Sequence, residues 1–415
     1  MTKPAAIVIA GTLDTKSEEI GFVRRALERR GRRVLVIDCG ILGTPTLEAH
    51  FDREVVAQAG GGDLASMRQS RDRETAIPIM NGGLELILSG LLADNEVAGY
   101  IGVGGGTNAA FAAAAFRVIP FGIPKVLVST IACGNTRPFV GIKDVVLIHS
   151  VVDILGLNSF LCSVLDRAVA ALDAMIAVSG GQKSAARDKR CVAVTSFGST
   201  TEGATHALQI LQAQELEVLG FHARGVGGEA MEAFVREGRI DAVLDLTTTE
   251  IADEIVGGIC SAGPNRLEAA GNLGLAQVIL PGAIDMVNFG PKITVPERFR
   301  DRHFVSHTPL ATLMRTTEAE NIEIASFIAR KLNEARGPVA VVLPMRGFSA
   351  YDREGGPFFD PKIDAAFCNT LVAQLKPSIP VRRIDAHINE RPVIEAATAL
   401  LTRMMAHSNA EGTGQ

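Results

Sequence analysis

The sequence predicts an α/β protein made of two Rossmann-like lobes, each built on a parallel, doubly wound sheet. Short apolar, often β-branched runs alternate with longer amphipathic segments, which is the pattern of strands joined by helices. Several of these runs end in a turn of Gly, Ser or Thr that opens a helix. The order of such turns in the first half returns in the second half, after a small and charged stretch at 179–190.

That stretch divides the chain into two predicted domains, 1–180 and 190–408. At 415 residues the chain is long enough for two domains with cores of their own. Because corresponding strands of both halves end in similar turns, we expect one topology used twice. Ligands of open α/β folds bind at the carboxyl ends of the strands, so we expect a ligand in a cleft between the two lobes.

The first half alternates strands and helices from its start. A strand at 5–10 precedes a helix at 16–30, whose predicted N-cap Thr15 forms a T-x-x-E capping box with Glu18. The charged segment 40–75 follows the next strand, at 33–38, and is expected to be an irregular surface excursion. The remaining elements predicted for the first half are a helix near 80–93, a strand at 97–103, a helix at 108–117 and a strand at 125–130.

The same alternation restarts after the linker. Asp360 as N-cap and Pro361 at the first helical position are a typical helix start. The predicted strands are 191–197, 217–222, 242–246, 277–280, 338–343 and 380–384. The predicted helices are 203–213, 229–237, 250–256, one beginning after Asp360, and one near 391–405.

Composition excludes several classes of function. A net charge of −5, no Lys/Arg block, no Trp and only two Tyr argue against a nucleic-acid partner. Six scattered cysteines without a C-x-x-C pair predict free thiols and a reducing compartment. The most apolar stretch is interrupted by charged residues, which argues against a membrane span. We therefore expect a cytoplasmic protein with no membrane partner.

The turn after the first strand is a candidate nucleotide site. Gly11, Thr12, Asp14, Thr15 and Lys16 place backbone amides, hydroxyls, a carboxylate and an ammonium at one helix start. The amides and Thr12 would hold a phosphate, Lys16 would offset its charge, and Asp14 would meet a ribose hydroxyl or a metal. The alternative is an ordinary capped helix start with a solvated lysine.

Two further turns of the first half support a nucleotide. The glycine-rich turn at 102–107 resembles a dinucleotide fingerprint and permits close approach of a phosphate to the backbone. Its predicted binding residues are Gly104, Gly105, Gly106 and Thr107, and Thr107 would cap the helix that follows. Ser129 and Thr130 end the next strand with hydroxyls suited to the same ligand.

The second half carries a weaker fingerprint. Gly225, Gly227 and Gly228 follow a strand in a G-x-G-x-x-A pattern, and Asp245 lies twenty residues on, the spacing of a dinucleotide site. The strand before them does not open its domain, so an NAD(P)-dependent oxidoreductase is the least favoured hypothesis. The alternative is a substrate site, in which Arg224 binds an anion with Gly227 and Gly228 while His222 shuttles a proton.

Carboxylates at later strand ends are candidate catalytic groups. Asp245 and Glu250, with Asp253, offer oxygen ligands for Mg²⁺, although a capping box of Thr247 with Glu250 would also explain that pair. Asp285 and Asn288 are polar residues in an otherwise apolar loop. We expect His222, Asp245, Glu250 and Asp285 to be catalytic, and Asn288 to bind substrate.

These segments together resemble one family. Gly11–Lys16, Gly104–Thr107, Phe221–Gly228 and Met314–Thr317 look like signature segments of a family that comprises the ATP-binding domain of the tomato inhibitor of tobamovirus RNA replication and its uncharacterised bacterial homologues. The other segments that carry the resemblance are 124–130, 151–158, 245–250 and 281–290. One departure is Ser17, which stands where the family usually has Gly.

The resemblance implies ATP in the first lobe, at Gly11–Lys16, Gly104–Thr107 and Ser129–Thr130, and a homodimer. We expect an ATP-dependent enzyme acting on a small carboxylate or sugar acid in the cleft, with Mg²⁺ as a candidate cofactor. A non-catalytic, nucleotide-responsive binding module is the alternative.

Overall fold

The computed structural model describes residues 4–181 and 189–412. The chain divides into two compact units, Met1–Ala186 and Arg187–Gln415. Each unit is a parallel sheet covered by helices, which confirms the predicted fold class. Much of the expected linker at 179–190 lies outside the described residues, and the cleft expected between the lobes stays a prediction.

The first unit contains five described strands and seven described helices. The strands are β1 (Ala6–Gly11), β2 (Val34–Asp38), β3 (Val97–Val103), β4 (Lys125–Ser129) and β5 (Val145–His149). The helices are α1 (Leu13–Glu28), α2 (Arg53–Ala59), α3 (Leu64–Ser70), α4 (Arg73–Ala93), α5 (Gly106–Val118), α6 (Arg137–Val140) and α7 (Ser159–Gly181).

The strand order β2-β1-β3-β4-β5 creates one topological switch point, between β1 and β3. All four strand pairs are parallel, so the carboxyl ends of β1 and β3 lie side by side. Helices α1 and α7 pack on one face of the sheet, and α2 to α5 pack on the other. This topology places the turns after β1 and β3 where ligands of such sheets bind.

The second unit repeats this plan with additions. Its strands are β6 (Cys191–Ser196), β7 (Glu217–His222), β8 (Ala242–Thr247), β9 (Ala276–Gly282), β10 (Met286–Phe289), β11 (Phe304–Thr308), β12 (Ala311–Arg315), β13 (Val339–Pro344) and β14 (Val381–Ile384). Its helices are α8 (Thr201–Gln212), α9 (Val226–Arg236), α10 (Thr249–Val256), α11 (Ala269–Asn272), α12 (Glu318–Glu334), α13 (Pro361–Gln374) and α14 (Arg391–Gly412).

The main sheet of this unit has the order β14-β13-β9-β8-β6-β7, with its switch point between β6 and β8. The first strands of both units therefore follow one arrangement, as the repeated turns predicted. Strands β10, β12 and β11 form a separate antiparallel sheet that the sequence did not predict. Its strands are only four or five residues long, which leaves little periodicity to recognise.

The predicted capping box at the start of α1 is wrong. The helix begins at Leu13 with Thr12 as N-cap, and the backbone of Lys16 departs from helical geometry (φ −130°, ψ 19°). The Thr15 hydroxyl contacts that of Thr12, 2.8 Å away, instead of capping a later helix start. The turn after β1 is therefore shorter and tighter than the sequence predicted.

The segment 40–75 is also different from the expected irregular excursion. It forms α2 and α3, and Val56 and Met67 are buried in the core of the first unit. Asp52 and Asp63 supply side-chain caps to these two helices. Each helix is only seven residues long, and the many charges obscured the few core positions.

Helix α4 is the one helix in residues 4–181 and 189–412 with the length and apolar composition to cross a membrane. Met80, Leu84 and Leu88 of this helix are buried in the core of the first unit. The packing of the sheet thus accounts for the apolar character of this face.

Candidate functional site

A cavity of about 390 Å³ lies at the switch point of the first sheet. The starts of α1 and α5 form one side of it. The other side comes from the loop after β2 and from the segment that joins α3 to α4. Its lining residues include Thr12, Asp14, Thr15, Lys16, Cys39, Ile41, Leu42, Gly43, Met67, Arg71, Arg73, Ala76, Gly105, Gly106, Thr107, Asn108 and Phe111.

Asn108 joins the two turns that border the cavity. Its Oδ1 accepts the backbone N–H of Thr12 at 2.9 Å, and its Nδ2 donates to the Thr12 hydroxyl at 3.1 Å. The side chain is buried, so both bonds are shielded from water. The start of α1 is thereby held against the first turn of α5.

The glycines of the two turns have different roles. A Cβ at Gly11 would lie 2.8 Å from Ile20 Cδ1 and 3.1 Å from Asn108 Oδ1, and one at Gly104 would lie 2.7 Å from Asn108 Cβ. Gly104 also has φ +146°, a conformation that side chains disfavour. Gly11 and Gly104 therefore make room for Asn108, and neither is among the residues that line the cavity.

Gly105 and Gly106 meet no such constraint. A Cβ at Gly106 would have no atom within 4 Å, and one at Gly105 would come no closer than 3.6 Å to the Thr130 hydroxyl. Neither residue has a positive φ. The packing of the unit does not require glycine here, whereas close approach of a ligand to the backbone would require it.

The start of α5 carries free hydrogen-bond donors. Its N-cap, Gly105, has no side chain, and no acceptor among the described residues meets the N–H groups of Gly106, Thr107 and Asn108. Such unpaired donors, together with the helix dipole, favour an anion at this position.

Asp14 and Lys16 line the cavity but also hold its walls together. Asp14 Oδ2 accepts the N–H groups of Ile41, Leu42 and Gly43 at 3.0–3.2 Å. The Lys16 ammonium donates to the carbonyl of Ile154. Asp14 thus positions the loop after β2, and its predicted contact with ribose or a metal stays a prediction.

The wall opposite the helix starts combines cations with apolar side chains. Arg71 and Arg73 are exposed, and no carboxylate pairs with either of them in the part of the chain that the structure describes. Ile41, Met67 and Phe111 supply apolar surface in the same cavity. Unpaired guanidinium groups suit phosphate oxygens, and an apolar wall suits a nucleobase.

Ser129 and Thr130 end the neighbouring strand β4, outside the residues that line the cavity. Ser129 is fully buried, and its hydroxyl accepts the N–H of Ile131 at 3.3 Å. Thr130 lies behind Gly105. These two residues support the glycine turn from behind, and their predicted contact with nucleotide stays a prediction.

The corresponding switch point of the second unit is closed. The Thr200 hydroxyl after β6 and the Thr247 hydroxyl at the end of β8 are 2.7 Å apart. The Thr195 hydroxyl accepts the N–H of Thr247 at 2.9 Å, and Thr248 donates to the carbonyl of Leu280. All four threonines are fully buried. The two turns bond to each other where those of the first unit border a cavity.

Asp245 and Glu250 are not accessible as the predicted catalytic groups. Arg266 is buried between them, with Nη1 at 2.6 Å from Asp245 Oδ2 and Nε at 2.8 Å from Glu250 Oε2. Glu232 lies 3.5 Å from the same guanidinium. Burial raises the pKa of Glu250 and of Glu232, and Arg266 opposes that rise. The sequence hypothesis missed Arg266, which converts these acids into an internal ion cluster.

Glu250 also excludes the dinucleotide interpretation of the glycines before α9. Its Oε1 accepts the N–H groups of Gly225 at 2.7 Å and Gly228 at 2.9 Å, the donors that would bind a pyrophosphate. A Cβ at Gly228 would lie 1.9 Å from Glu250 Oε2, and one at Gly227 would lie 1.8 Å from the His222 carbonyl oxygen. Tight packing explains both glycines, so their predicted role in substrate binding is corrected.

His222 and Arg224 are exposed at the edge of the second sheet. The His222 ring stacks on Phe197, with centroids 5.5 Å apart. Arg224 contacts Cys260, whose buried thiol has a pKa raised to about 12. The structure does not bring either residue to Asp245 or Asp285 through any contact among the described residues, so the four predicted catalytic groups do not form one centre.

Asn288 and Asp285 are buried in different networks. Asn288 Nδ2 donates to Asp253 Oδ2 at 2.7 Å, and burial raises the pKa of Asp253 to about 7. Asp285 accepts the Ser349 hydroxyl at 2.7 Å. Asn288 is therefore a structural partner of Asp253.

No group of three or more His, Cys, Asp or Glu residues in 4–181 and 189–412 is arranged to hold a metal ion, so the predicted Mg²⁺ ligands Asp245, Glu250 and Asp253 are not confirmed.

Comparison with known families accounts for nearly the whole chain. Residues 5–180 match the N-terminal domain of an uncharacterised protein family, UPF0261, and residues 189–405 match its C-terminal domain. The chain belongs to the UPF0261 family. The predicted resemblance to bacterial homologues and to the tomato protein is thereby confirmed at the level of the family.

Two relatives match nearly the whole chain. A UPF0261 protein of Clostridium tetani is 43% identical over 400 residues, covering 96% of this chain and 98% of its own. The tomato ToMV susceptible protein tm-1(GCR26) is 38% identical over 422 residues, covering 97% of this chain and 56% of its own. A UDP-N-acetylglucosamine 2-epimerase structure from Rickettsia bellii is 11% identical over 98% of this chain, with a TM-score of 0.24.

Several residues of the cavity in the N-terminal unit were not predicted from the sequence. Asn108 is a polar side chain at the start of an alanine-rich helix, four positions after Gly104, and could have been found from that spacing. Arg71 and Arg73 lie in the charged segment 40–75, which the sequence predicts to be a surface excursion. Ile41 and Phe111 carry no sequence signal, since their place in the cavity depends on the packing of loops and helices.

Proposed function

We propose that the N-terminal unit binds ATP in the cavity between α1 and α5. The observation that carries the proposal is the start of α5, where three N–H groups have no partner among the described residues and face a cavity beside the switch point. Gly105 and Gly106 are glycines that the fold does not need. The resemblance of these turns to an ATP-binding domain supports the choice of nucleotide.

The residues around the cavity fit the parts of the nucleotide. The phosphates lie against the starts of α1 and α5, with the Thr12 and Thr15 hydroxyls and the opposing Arg71 and Arg73. The base lies on the apolar wall. Mg²⁺ usually reaches a nucleotide through its phosphates and one or two carboxylates, and Asp72 and Asp153 line the same cavity.

We further propose that the protein uses ATP in the chemistry of a small carboxylate. The switch point of the second unit is closed, and Asp245 and Glu250 are buried there. The substrate therefore binds elsewhere than at the predicted catalytic residues. Carboxyl groups with raised pKa values remain elsewhere in that unit, which supports an acid–base function. Phosphorylated or ADP-forming products would support an enzyme, and ATP binding without turnover would favour a binding module.

Gly106→Ala tests the nucleotide site. A methyl group at this position meets no protein atom but occupies the path of a phosphate to the α5 amides. We expect ATP with Mg²⁺ to bind the variant at least about tenfold more weakly, about 1.4 kcal/mol, in isothermal titration calorimetry. The variant itself should be as stable as the wild type or more so, because alanine favours a helix over glycine.

Gly90→Ala is the matched control. Gly90 lies within α4, outside the residues that line the cavity, and a Cβ there also has no atom within 4 Å. This variant should gain similar stability and keep the ATP affinity of the wild type. Wild-type protein that does not bind ATP, or a Gly106→Ala variant that binds it equally well, would refute the proposed site.

A further inference from the structure

A second cavity lies entirely within the C-terminal unit. It has a volume of about 1130 Å³ and is lined by the segments that follow β13 and β14 and by the start of α8. Asn389 joins these walls, because its Oδ1 accepts the N–H of Gly203 and its Nδ2 donates to the carbonyl of Ser199. The cavity therefore borders the carboxyl edge of the sheet, where α/β proteins bind ligands.

A buried carboxyl pair opens onto this cavity through Asp364. Asp364 is 9% exposed and lines the cavity, while its Oδ1 accepts Arg315 Nη2 at 2.8 Å. Asp352, fully buried behind it, has its Oδ1 at 3.9 Å from the same Arg315 nitrogen. Two buried carboxyl groups beside one guanidinium nitrogen do not both stay ionised, so this pair holds a proton at the cavity wall.

Asp285 adds a third acid to the pair. Its Oδ2 accepts the Ser349 hydroxyl, and its Oδ1 is buried without a partner among the described residues. One guanidinium, that of Arg315, faces all three acids, so they cannot all be ionised in this buried position. Burial and the neighbouring carboxylate raise the pKa of Asp364 to about 8, which leaves its proton exchangeable near neutral pH.

The remaining walls show which ligand fits. Arg353 and Arg391 line the cavity and pair with no carboxylate in residues 4–181 and 189–412, and Arg391 is also the first residue of the long helix α14. Both features favour an anionic group. The side chains of Glu202 and Glu354 line the same cavity, have no hydrogen-bond partner among the described residues, and can accept bonds from hydroxyl groups. A neutral polyol would leave the arginines unpaired. A plain dicarboxylate would place its second negative charge against these glutamates, which repel it.

We propose that this cavity is a second ligand site, which binds a small polyhydroxylated carboxylate and presents the carboxyl group of Asp364 to it for proton exchange. The carboxylate binds at Arg353 and Arg391, and its hydroxyl groups donate to Glu202 and Glu354. The inference deepens the proposed function, because it names where the carboxylate substrate binds, and it rests on that function for the substrate class.

Calorimetric titration of the full chain without ATP tests the site, with D-gluconate as probe and D-glucitol and succinate as comparisons. We expect gluconate to bind at least tenfold more tightly than either comparison. Titrations at pH 7.5 in HEPES and in Tris should give different enthalpies, because an anion placed beside Asp364 draws a proton onto it. Asp364→Asn should remove most of this buffer dependence.

The double variant Arg353→Gln with Arg391→Gln tests the anion contact through exposed residues, so it keeps the proposal testable if Asp364→Asn does not fold. We expect at least a tenfold loss of gluconate affinity. Arg300→Gln, an exposed arginine outside the cavity, is the matched control and should bind like the wild type.

Absence of gluconate binding, equal binding of glucitol or succinate, or unchanged affinity in the double variant would each overturn the proposal. Buffer dependence that persists in a folded Asp364→Asn variant would overturn the proton role of that residue. ATP binding is measured separately, so gluconate binding in a chain that does not bind ATP would refute the nucleotide proposal alone.

Discussion

Single buried side chains decide which helix starts of this protein are open to a ligand. In the C-terminal unit the carboxylate of Glu250 accepts the N–H groups at the start of α9 and takes the position of an external anion. In the N-terminal unit the neutral side chain of Asn108 bonds to Thr12, and the first amides of α5 have no acceptor among the residues that the structure describes. Two glycine turns that look alike in sequence therefore differ in whether their N–H groups already have an internal acceptor.

Arg266→Met tests the internal ion cluster at this scale. The variant leaves Asp245, Glu250 and Glu232 buried without their cation, and we expect a loss of about 3–5 kcal/mol in the free energy of unfolding by urea. The deficit should shrink as the pH falls, because unpaired buried acids then take up protons and cease to be charged. Arg300→Met, at an exposed arginine, should change the stability by less than about 0.5 kcal/mol.

At the scale of elements, the cavity of the N-terminal unit depends on contacts between the starts of helices and the loops around them. Asn108 fixes the start of α5 to that of α1, and Asp14 fixes the start of α1 to the loop after β2. The short helix α3 then brings Arg71 to the opposite wall. The cavity therefore forms only when α1, α3, α5 and the loop after β2 are all in place.

Substitution of Asn108 separates packing from charge. Asn108→Ala removes both bonds to Thr12 and leaves a buried N–H unpaired, so we expect about 1–3 kcal/mol lower stability and weaker ATP binding. Asn108→Asp keeps an acceptor for Thr12 but adds a negative charge beside the proposed phosphate position. It should lose most ATP affinity with a smaller loss of stability, as measured by titration and urea unfolding. Equal ATP affinity in Asn108→Asp and the wild type would contradict the assigned phosphate position.

At the scale of the whole molecule, the two units differ in how their buried acids are used. Among the described residues, the carboxyl groups whose pKa is raised belong to the C-terminal unit, among them Asp253 at about 7, Asp285 at about 7 and Asp364 at about 8. Burial is the main cause in each case. The N-terminal unit instead uses exposed acids as helix caps, and hydrogen bonds lower the pKa of Asp63 and Asp72.

This asymmetry predicts that the C-terminal unit loses stability as the pH rises from about 4 to 8. An acid whose pKa is higher in the folded state binds its proton more tightly there, so its contribution is complete at low pH and is lost as the pH passes its folded pKa. Each such group contributes a slope of at most about 1.4 kcal/mol per pH unit. Asp285→Asn should flatten this dependence.

Pulse labelling of the buried thiols in urea reports on each unit separately. Cys39 belongs to the N-terminal unit, and Cys191 and Cys368 belong to the C-terminal unit. Between pH 5 and pH 8 the unfolding midpoint reported by the C-terminal thiols should fall more than that reported by Cys39. A larger fall at Cys39 would contradict the assignment, and Asp301→Asn, at an exposed acid, should leave both midpoints unchanged.

The long regular elements could be predicted from the sequence because their periodicity is local. The runs of β1 and β13 are apolar and fully buried, as expected for strands covered on both faces. The short antiparallel sheet and the helices α2 and α3 could not be predicted, because each has too few core residues for a period to show. The predicted capping box at Thr15 failed because its hydroxyl contacts Thr12 in the preceding turn, and the one at Thr247 failed because Thr247 and Glu250 form tertiary hydrogen bonds instead.

The sequence by itself determined the two-unit α/β fold, the repeated topology and the turns of Gly105–Thr107 and Thr12–Lys16, because strand and helix periods and turn residues act over short stretches of chain. Only the tertiary structure decided that the first pair of turns borders a cavity, that the second pair is bonded shut, and that Arg266 neutralises the acids first taken as catalytic. The physical reason is that hydrogen bonds and ion pairs join residues distant in sequence, such as Thr12 with Asn108 and Asp245 with Arg266, and no local pattern encodes those distances.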